Sequence, residues 1–82
     1  VDRYGYPTGR FVAPAGTPFE MRSLPADYYY KYPLHTYEVI KPIQVKAGVT
    51  APWFNQPGRG IQYMFFDKIQ NLGDYLKLIS IV

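Results

Sequence analysis

The segment Thr36-Tyr-Glu-Val-Ile-Lys41 carries the clearest secondary-structure pattern in this 82-residue chain. It is dominated by β-branched and aromatic residues and is followed at once by Pro42, which predicts a β-strand with a defined stop. The next segment, Ile43-Gln-Val-Lys-Ala47, alternates apolar and polar residues, the period-two pattern of a half-buried strand. The two segments favour a β-rich fold.

The same criteria, applied outward from this segment, predict the remaining elements. Four more strands are expected at residues 11–13, 19–24, 61–65 and 75–82. One short helix is predicted at 67–72, with Asp67 as its N-cap and Gly73 as its C′ residue. Proline, glycine and turn residues predict loops or irregular structure at 2–10, 25–33 and 52–60. Because no βαβ alternation occurs, the class is α+β with a mainly antiparallel sheet and one short helix.

Length and composition narrow the possible functions. A chain of this size forms one domain, here residues 1–82, and the first residue, Val1, suggests a piece cut from a longer protein. The chain has no cysteine, one histidine and six carboxylates, so we expect no structural zinc site and no metal in the active site. The net charge of +3 suits a small phosphate-bearing ligand better than nucleic acid. No apolar run reaches the length of a membrane span, and no signal segment is visible.

Arg22 is the first candidate site residue, since it follows a Gly-Thr-Pro turn. A planar guanidinium in that place can hold a phosphate or a carboxylate with two parallel hydrogen bonds. The alternative is a surface arginine paired with Glu20 or Asp27, an arrangement that contributes little.

His35 and Gln62 are candidates of a different kind. His35, the single histidine, is able to bond a ligand or move a proton near neutral pH, but its apolar neighbours favour a packed ring with one satisfied nitrogen. Gln62 alternates with Ile61 and Tyr63 and therefore points to the opposite face of its strand. If that face lines a cleft, the carboxamide is a strong site candidate. If it faces solvent, Gln62 gives no information about function.

The aromatic clusters have two interpretations each. Trp53-Phe54 can act as a stacking platform, but a plug that packs a loop onto the core is the favoured interpretation. The tyrosine-rich run 28–32 can stack on bases, although it lacks a surrounding basic patch. The chain has no nucleophile–base pair, no HExxH and no closely spaced carboxylates, so any catalysis must come from positioning and electrostatics.

Several sequence motifs follow one another over nearly the whole chain, and their order matters more than any single motif. The motifs are Asp2-Arg-Tyr-Gly5, Gly9-Arg-Phe11, Pro14-Ala-Gly-Thr-Pro-Phe-Glu-Met-Arg-Ser-Leu-Pro25, His35-Thr-Tyr-Glu-Val-Ile-Lys-Pro42, Ala47-Gly48, Ala51-Pro-Trp-Phe54, Gly60-Ile-Gln-Tyr63 and Asn71-Leu-Gly-Asp-Tyr-Leu76. In this order they give the chain a resemblance to the tuberculosis necrotizing toxin family.

The resemblance implies an NAD(P)⁺ glycohydrolase, a toxin domain at the C-terminal end of a larger secreted effector that empties a target cell of NAD⁺. It implies a β-rich fold related to the ADP-ribosyltransferase toxins, and a cognate immunity protein that blocks the site. No cofactor is implied, because NAD⁺ or NADP⁺ is the substrate. Activity is expected to depend chiefly on Arg22 and Gln62, with substrate binding by Arg3, Phe11 and His35.

Each residue then has an expected role. Arg22 and Arg3 bind the diphosphate, Phe11 stacks on nicotinamide, Gln62 orients the ribose or the attacking water, and His35 fixes the ribose end. Two other functions stay open at this point. An ADP-ribosyltransferase passes the ribose to a macromolecule and usually carries a catalytic glutamate, whereas a nucleic-acid-binding module shows steeply salt-dependent affinity.

Overall fold

Two three-stranded antiparallel sheets form the fold in the computed structural model, which describes all 82 residues. The first sheet has the order β1-β3-β6, and the second has the order β2-β5-β4. The strands are β1 Asp2–Tyr4, β2 Phe11–Val12, β3 Leu34–Val39, β4 Lys46–Val49, β5 Ile61–Met64 and β6 Leu76–Ile81. The predicted α+β class and mainly antiparallel pairing are confirmed.

The helical content is small and is not placed as the sequence predicts. The only α-helix, α1, is Tyr28–Lys31, within a segment predicted to be irregular. The predicted helix at 67–72 is reduced to a 3₁₀ turn at Ile69–Asn71, and its N-cap position is Lys68, one residue later than expected. Gly73 does follow the C-cap, as predicted.

Residues 19–24 do not form the predicted strand. A 3₁₀ turn occupies Phe19–Met21, and Ser23 adopts a positive φ of 54°, which no strand residue does. The physical reason lies at either end of the segment. Pro18 fixes its own φ at −55°, and the Arg22 side chain bonds back to the carbonyl oxygen of Thr17, so the chain closes into a tight turn.

β1 lies inside a segment predicted to be a loop. It is only three residues long, and its strand geometry comes from pairing with β3, in which Arg3 stands opposite His35. Asp2 also forms an isolated bridge with Ala13, just after β2. This bridge joins the edge of the first sheet to the edge of the second, and the candidate site lies at that junction.

The core is built from both sheets and from the 3₁₀ turn at Ile69–Asn71. Of its side chains, Val12 also lines the cavity at the junction of the sheets. The cluster consists of Val12, Tyr37, Phe65, Ile69, Leu72 and Leu76.

The Trp53-Phe54 pair does not plug the core. Trp53 is 68% exposed, and its ring stacks on that of Phe54 with 4.7 Å between the ring centres. A β-bridge between Trp53 and Gln56 closes the turn that carries the two rings. Phe54 and Asn55 both take positive φ values there. The plug interpretation is therefore wrong, because both aromatic rings of this turn are exposed to solvent.

Candidate active site

A cavity of about 260 Å³ opens where β1 meets β2 and β5. Four of the five predicted site residues line it: Arg3, Phe11, Arg22 and Gln62. They come from four separate parts of the chain, and the bridge between Asp2 and Ala13 brings those parts together. The structure thus places the arginines and the carboxamide around one space.

Arg22 is held by a buried ion pair. Its Nη2 donates to Oδ1 of Asp2 at 2.6 Å, and the two side chains are only 6% and 2% exposed. Nε and Nη2 also donate to the carbonyl oxygen of Thr17, at 3.0 and 2.8 Å. Its guanidinium carbon lies 5.0 Å from the ring centre of Tyr4, within range of a cation–π contact. The predicted alternative, a surface pair with Glu20 or Asp27, is wrong.

Asp2 is fixed as firmly as the arginine that it binds. Its Oδ2 accepts a hydrogen bond of 3.0 Å from the backbone N–H of Gly16, and its backbone pairs with Ala13. The positive charge of Arg22 is therefore compensated, and two of its three nitrogens are engaged. Nη1 makes no hydrogen bond within the chain and remains able to donate to a ligand.

Arg3 lies in the same cavity without a carboxylate. Its Nη1 donates to the carbonyl oxygen of Phe11 at 2.9 Å, and its buried Nε has no partner. Burial lowers the pKa of Arg3, an effect that Tyr37 and Tyr28 partly oppose. An arginine stays protonated in proteins, so the lowered pKa marks a charge that is costly to bury. The only ion pairs in the structure are Arg22–Asp2 and Lys31–Asp27.

Two glycines make room for the Arg3 guanidinium. A Cβ at Gly9 would overlap the terminal nitrogens of Arg3, and one at Gly5 would lie 3.2 Å from Nη2. Gly5 also has a φ of +129°, a conformation that other residues rarely adopt. The Asp2-Arg-Tyr-Gly5 and Gly9-Arg-Phe11 motifs therefore form one cradle for a cation.

Gln62 stands on β5 at the boundary of the cavity. Its neighbour Tyr63 packs against the core on the other face, as the alternation predicts. The Gln62 carboxamide makes no hydrogen bond within the chain and is not buried. It therefore has a free donor and a free acceptor at the cavity. Phe11, on the neighbouring strand β2, is 46% exposed and offers its ring to the same space.

His35 lies elsewhere. It is 7% exposed on β3, its ring stands 6.4 Å from that of Tyr37 in a stacked arrangement, and it does not line the cavity. Nδ1 lies 3.2 Å from the carbonyl oxygen of Pro33, to which Nδ1–H donates. Its position is that of the packed ring with one satisfied nitrogen. A role at the ribose stays a prediction.

Asp2 and Tyr4 also line the cavity, although neither was predicted from the sequence to be a site residue. The available signal was an acidic residue directly before a candidate arginine in Asp2-Arg3. That signal is ambiguous, because the carboxylate pairs with Arg22, twenty positions away, and not with its neighbour. Burial raises the pKa of Tyr4, and the charge of Arg22 opposes this rise, so Tyr4 is a neutral wall of the site at physiological pH.

The cavity contains little proton-transfer chemistry. Its one carboxylate, Asp2, is occupied by Arg22 and Gly16. No group of three or more His, Cys, Asp or Glu side chains is arranged to hold a metal ion. What the cavity offers is a fixed cation, an uncompensated cation, a free carboxamide and an exposed ring. None of the helices has the length and apolar character that crossing a membrane requires.

Comparison with known proteins adds two findings. Residues 1–80 match the family described as "Tuberculosis necrotizing toxin". The chain is also 41% identical, over 88 aligned residues, to the conidial surface nicotinamide adenine dinucleotide glycohydrolase of Aspergillus fumigatus. The alignment covers 98% of this chain and 38% of that relative, so the chain spans well under half of the relative's length.

Proposed function

The chain belongs to the tuberculosis necrotizing toxin family, and on that premise we propose that it is an NAD(P)⁺ glycohydrolase. It hydrolyses the bond between nicotinamide and ribose to give nicotinamide and ADP-ribose. The observation that carries the proposal is the half-buried Arg3, which has no counterion, in the same cavity as a free Gln62 carboxamide. The activity in the printed name of the Aspergillus relative supports it.

The two arginines suit the diphosphate of the dinucleotide. A partly desolvated cation without a counterion is unfavourable, and an arriving anion reduces that cost. Arg3 is half-buried and supplies such a cation, whereas Arg22 supplies an oriented Nη1 whose position Asp2 and Thr17 fix. Hydrogen bonds from guanidinium to phosphate are shorter and stronger than bonds between neutral groups.

The reaction needs few proton-transfer groups, which agrees with the composition of the cavity. The bond from C1′ of the ribose to the ring nitrogen breaks, and its electron pair leaves with the ring. The pyridinium thereby becomes neutral nicotinamide without an acid catalyst. A water oxygen then bonds to the oxocarbenium-like C1′ and gives up one proton to solvent water, which leaves a hydroxyl on C1′. Gln62 accepts a hydrogen bond from this water or from a ribose hydroxyl, and so holds the reactants in line.

Phe11 and the size of the cavity define the rest of the fit. An exposed aromatic ring beside the carboxamide gives the flat, cationic nicotinamide ring a surface to stack on. The volume of about 260 Å³ lies just below the roughly 300–1,000 Å³ of typical ligand pockets. A dinucleotide therefore places only part of its length in this cavity.

Three finer parts of the proposal rest on the family. We include a fold relationship to the ADP-ribosyltransferase toxins, delivery to a target cell as part of a larger effector, and a cognate immunity protein that covers the cavity. The surface location in the name of the Aspergillus relative supports the extracellular part of this route. NAD⁺ or NADP⁺ is then the substrate and no separate cofactor takes part. Neither nucleic acid nor a membrane is a partner in this scheme.

The decisive experiment mixes the purified domain with NAD⁺ and follows free nicotinamide and ADP-ribose. We expect equal amounts of both, with no labelled protein or nucleic acid. The Gln62→Ala variant should lose about 10²-fold or more in rate with its fold intact, because positioning and electrostatic groups contribute on that scale.

Gln70→Ala is the matched control, since Gln70 is an exposed glutamine in the 3₁₀ turn that does not line the cavity. It should hydrolyse NAD⁺ at the parent rate. Parent-like turnover by Gln62→Ala would refute the assigned role. Nicotinamide release with ADP-ribose attached to an acceptor would show a transferase instead.

A further inference from the structure

Arg22 and Gln62 line one cavity but belong to different parts of the fold. Gln62 lies on β5, whereas Arg22 ends a 3₁₀ turn that belongs to neither sheet. The guanidinium of Arg22 is held by Asp2 and Thr17, and neither of these residues belongs to the sheet that contains β5. A direct link between the turn and that sheet comes from another residue, Thr50.

Thr50 directly follows β4, is 9% exposed and lines the cavity. Its Oγ1 donates to the carbonyl oxygen of Met21 at 2.7 Å and accepts from the backbone N–H of Gly60 at 3.2 Å. Met21 immediately precedes Arg22, and Gly60 lies two residues before Gln62. One hydroxyl therefore joins the backbone segments that carry the two site residues.

The position of this hydroxyl relative to β5 is fixed by further bonds. The backbone N–H of Thr50 donates to the carbonyl oxygen of Gly60 at 2.9 Å, and its own carbonyl oxygen accepts from Arg59 at 2.8 Å. The N–H of Gly60 also donates to the carbonyl oxygen of Met21 at 3.1 Å. A Cβ at Gly60 would lie 2.6 Å from that oxygen, so this close approach requires glycine.

The residue on the other side of Arg22 is tied to the same segment. The hydroxyl of Ser23 donates to the carbonyl oxygen of Ala51, the residue after Thr50. Ser23 has a positive φ of 54°, an unfavourable conformation that persists only where the surrounding structure enforces it. Residues 50 and 51 thus hold the backbone both before and after Arg22.

We propose that Thr50 is a positioning residue, whose hydroxyl sets the distance between Arg22 and Gln62. The inference rests on the proposed function. A threonine hydroxyl has one proton, and here Met21 accepts it, so Thr50 does not donate to the substrate. It acts through geometry, because a displacement of about 1 Å within an active site costs about 10²-fold in rate.

Thr50→Val removes the hydroxyl and keeps the shape of the side chain. A methyl carbon approaches a carbonyl oxygen to about 3.3 Å, whereas Oγ1 lies 2.7 Å from that of Met21, so the two residues should separate by about 0.6 Å. The fold should persist, since Gly60 and Met21 keep their own backbone bond and valine favours strands.

Steady-state hydrolysis of NAD⁺ should show the effect in kcat. We expect kcat of Thr50→Val to fall about tenfold or more, with KM within about threefold of the parent value, because both arginines still bind the diphosphate. Thr50→Ser restores the hydroxyl and should return kcat to within about threefold of the parent. Thr8→Val is the matched control, since Thr8 is exposed and does not line the cavity, and it should keep the parent kcat.

Crystal structures of the parent, Thr50→Val and Thr50→Ser separate this inference from the proposed function. The distance from Cζ of Arg22 to Cδ of Gln62 should change by about 0.5 Å in Thr50→Val, the tolerance of a preorganised site, and stay unchanged in Thr50→Ser. If this change occurs but the parent does not hydrolyse NAD⁺, the control of spacing stands and the hydrolase function fails.

Three results would overturn the role of Thr50. One is an unchanged distance in Thr50→Val, whatever the activity. Another is a parent-like kcat in Thr50→Val, even with a lower midpoint of urea unfolding, since the residue would then have a merely structural role. The third is a kcat of Thr50→Ser as low as that of Thr50→Val, because the hydroxyl would then not be the group that matters.

Discussion

Arg22 and Arg3 line one cavity and have the same side chain, yet their surroundings are opposite. Arg22 has a buried carboxylate, a carbonyl oxygen and the ring of Tyr4 around it. Arg3 has one carbonyl oxygen, two glycines and a buried nitrogen with no partner. Arg22 is paired with a carboxylate within the fold, whereas Arg3 has no counterion.

The difference between the two arginines indicates which of them provides most of the free energy for binding an anionic substrate. A buried ion pair with further hydrogen bonds is satisfied in the free protein, so a ligand gains little from neutralising it. A desolvated cation without a counterion is unsatisfied until an anion arrives. We therefore assign orientation of the substrate chiefly to Arg22 and the electrostatic gain chiefly to Arg3.

Arg22→Ala should have the largest effect, and the effect is on stability. The change leaves Asp2 as a buried, unpaired carboxylate, a defect that costs about 3–5 kcal/mol. Domains of 82 residues have a free energy of unfolding of roughly 4–12 kcal/mol, so much of it is lost. Urea unfolding followed by circular dichroism measures the loss.

Arg10→Ala is the control for that measurement, since Arg10 is an exposed arginine outside the cavity. Its free energy of unfolding should stay within about 0.5 kcal/mol of the parent value. Equal stabilities for Arg22→Ala and Arg10→Ala would contradict the view that the Asp2–Arg22 pair holds the junction of the two sheets together.

Arg3→Gln should act in the opposite way, on activity and not on stability. Removing a partly desolvated charge that has no counterion should leave the free energy of unfolding unchanged or raised. Hydrogen bonds to charged groups contribute about 1.5–3 kcal/mol, so kcat/KM for NAD⁺ should fall roughly ten- to hundredfold. Steady-state release of nicotinamide measures this change. A large loss of stability would show that Arg3 has a structural role instead.

Asp67→Asn should have the smallest effect, and it contrasts an exposed carboxylate with the buried Asp2. The backbone N–H of Lys68 and the side-chain amide of Asn71 donate to Asp67 and lower its pKa. A lowered pKa means that the carboxylate stabilises the fold above its unfolded pKa of about 4. This contribution is lost as the pH falls through the folded pKa.

Thermal unfolding of Asp67→Asn and the parent therefore provides a pH test. The variant should melt slightly below the parent at neutral pH, and the difference should begin to shrink below about pH 4 and disappear as the pH falls through the lowered, folded pKa. A difference that persists unchanged in acid would show that the carboxylate charge has no part in the 3₁₀ turn. Activity should be unaffected, because Asp67 does not line the cavity.

Long-range contacts explain which predictions failed. β3, β5 and β6 were predictable because their β-branched and aromatic runs are local patterns. β1 was not, since three residues carry no period and its pairing partner is more than thirty positions away. The segment after Pro18 has strand composition, but a bond from the Arg22 side chain to Thr17 turns it.

The candidate site shows the same division. The order of the motifs identified Arg3, Phe11, Arg22 and Gln62 as candidate site residues. In the structure all four line one cavity. Whether an arginine has a counterion depends on where a carboxylate lies after folding. The sequence pointed to Glu20 or Asp27 for Arg22, whereas the fold provides Asp2 and leaves Arg3 without any.

Calorimetric titration with ADP-ribose tests the central claim most directly, because this product carries the diphosphate and undergoes no reaction. If Arg3 is the cation that awaits an anion, the parent binds one equivalent and Arg3→Gln, equally folded, binds it at least about tenfold more weakly. Equal affinities for the parent and Arg3→Gln would contradict the account, since the unpaired charge would then have no part in holding the substrate.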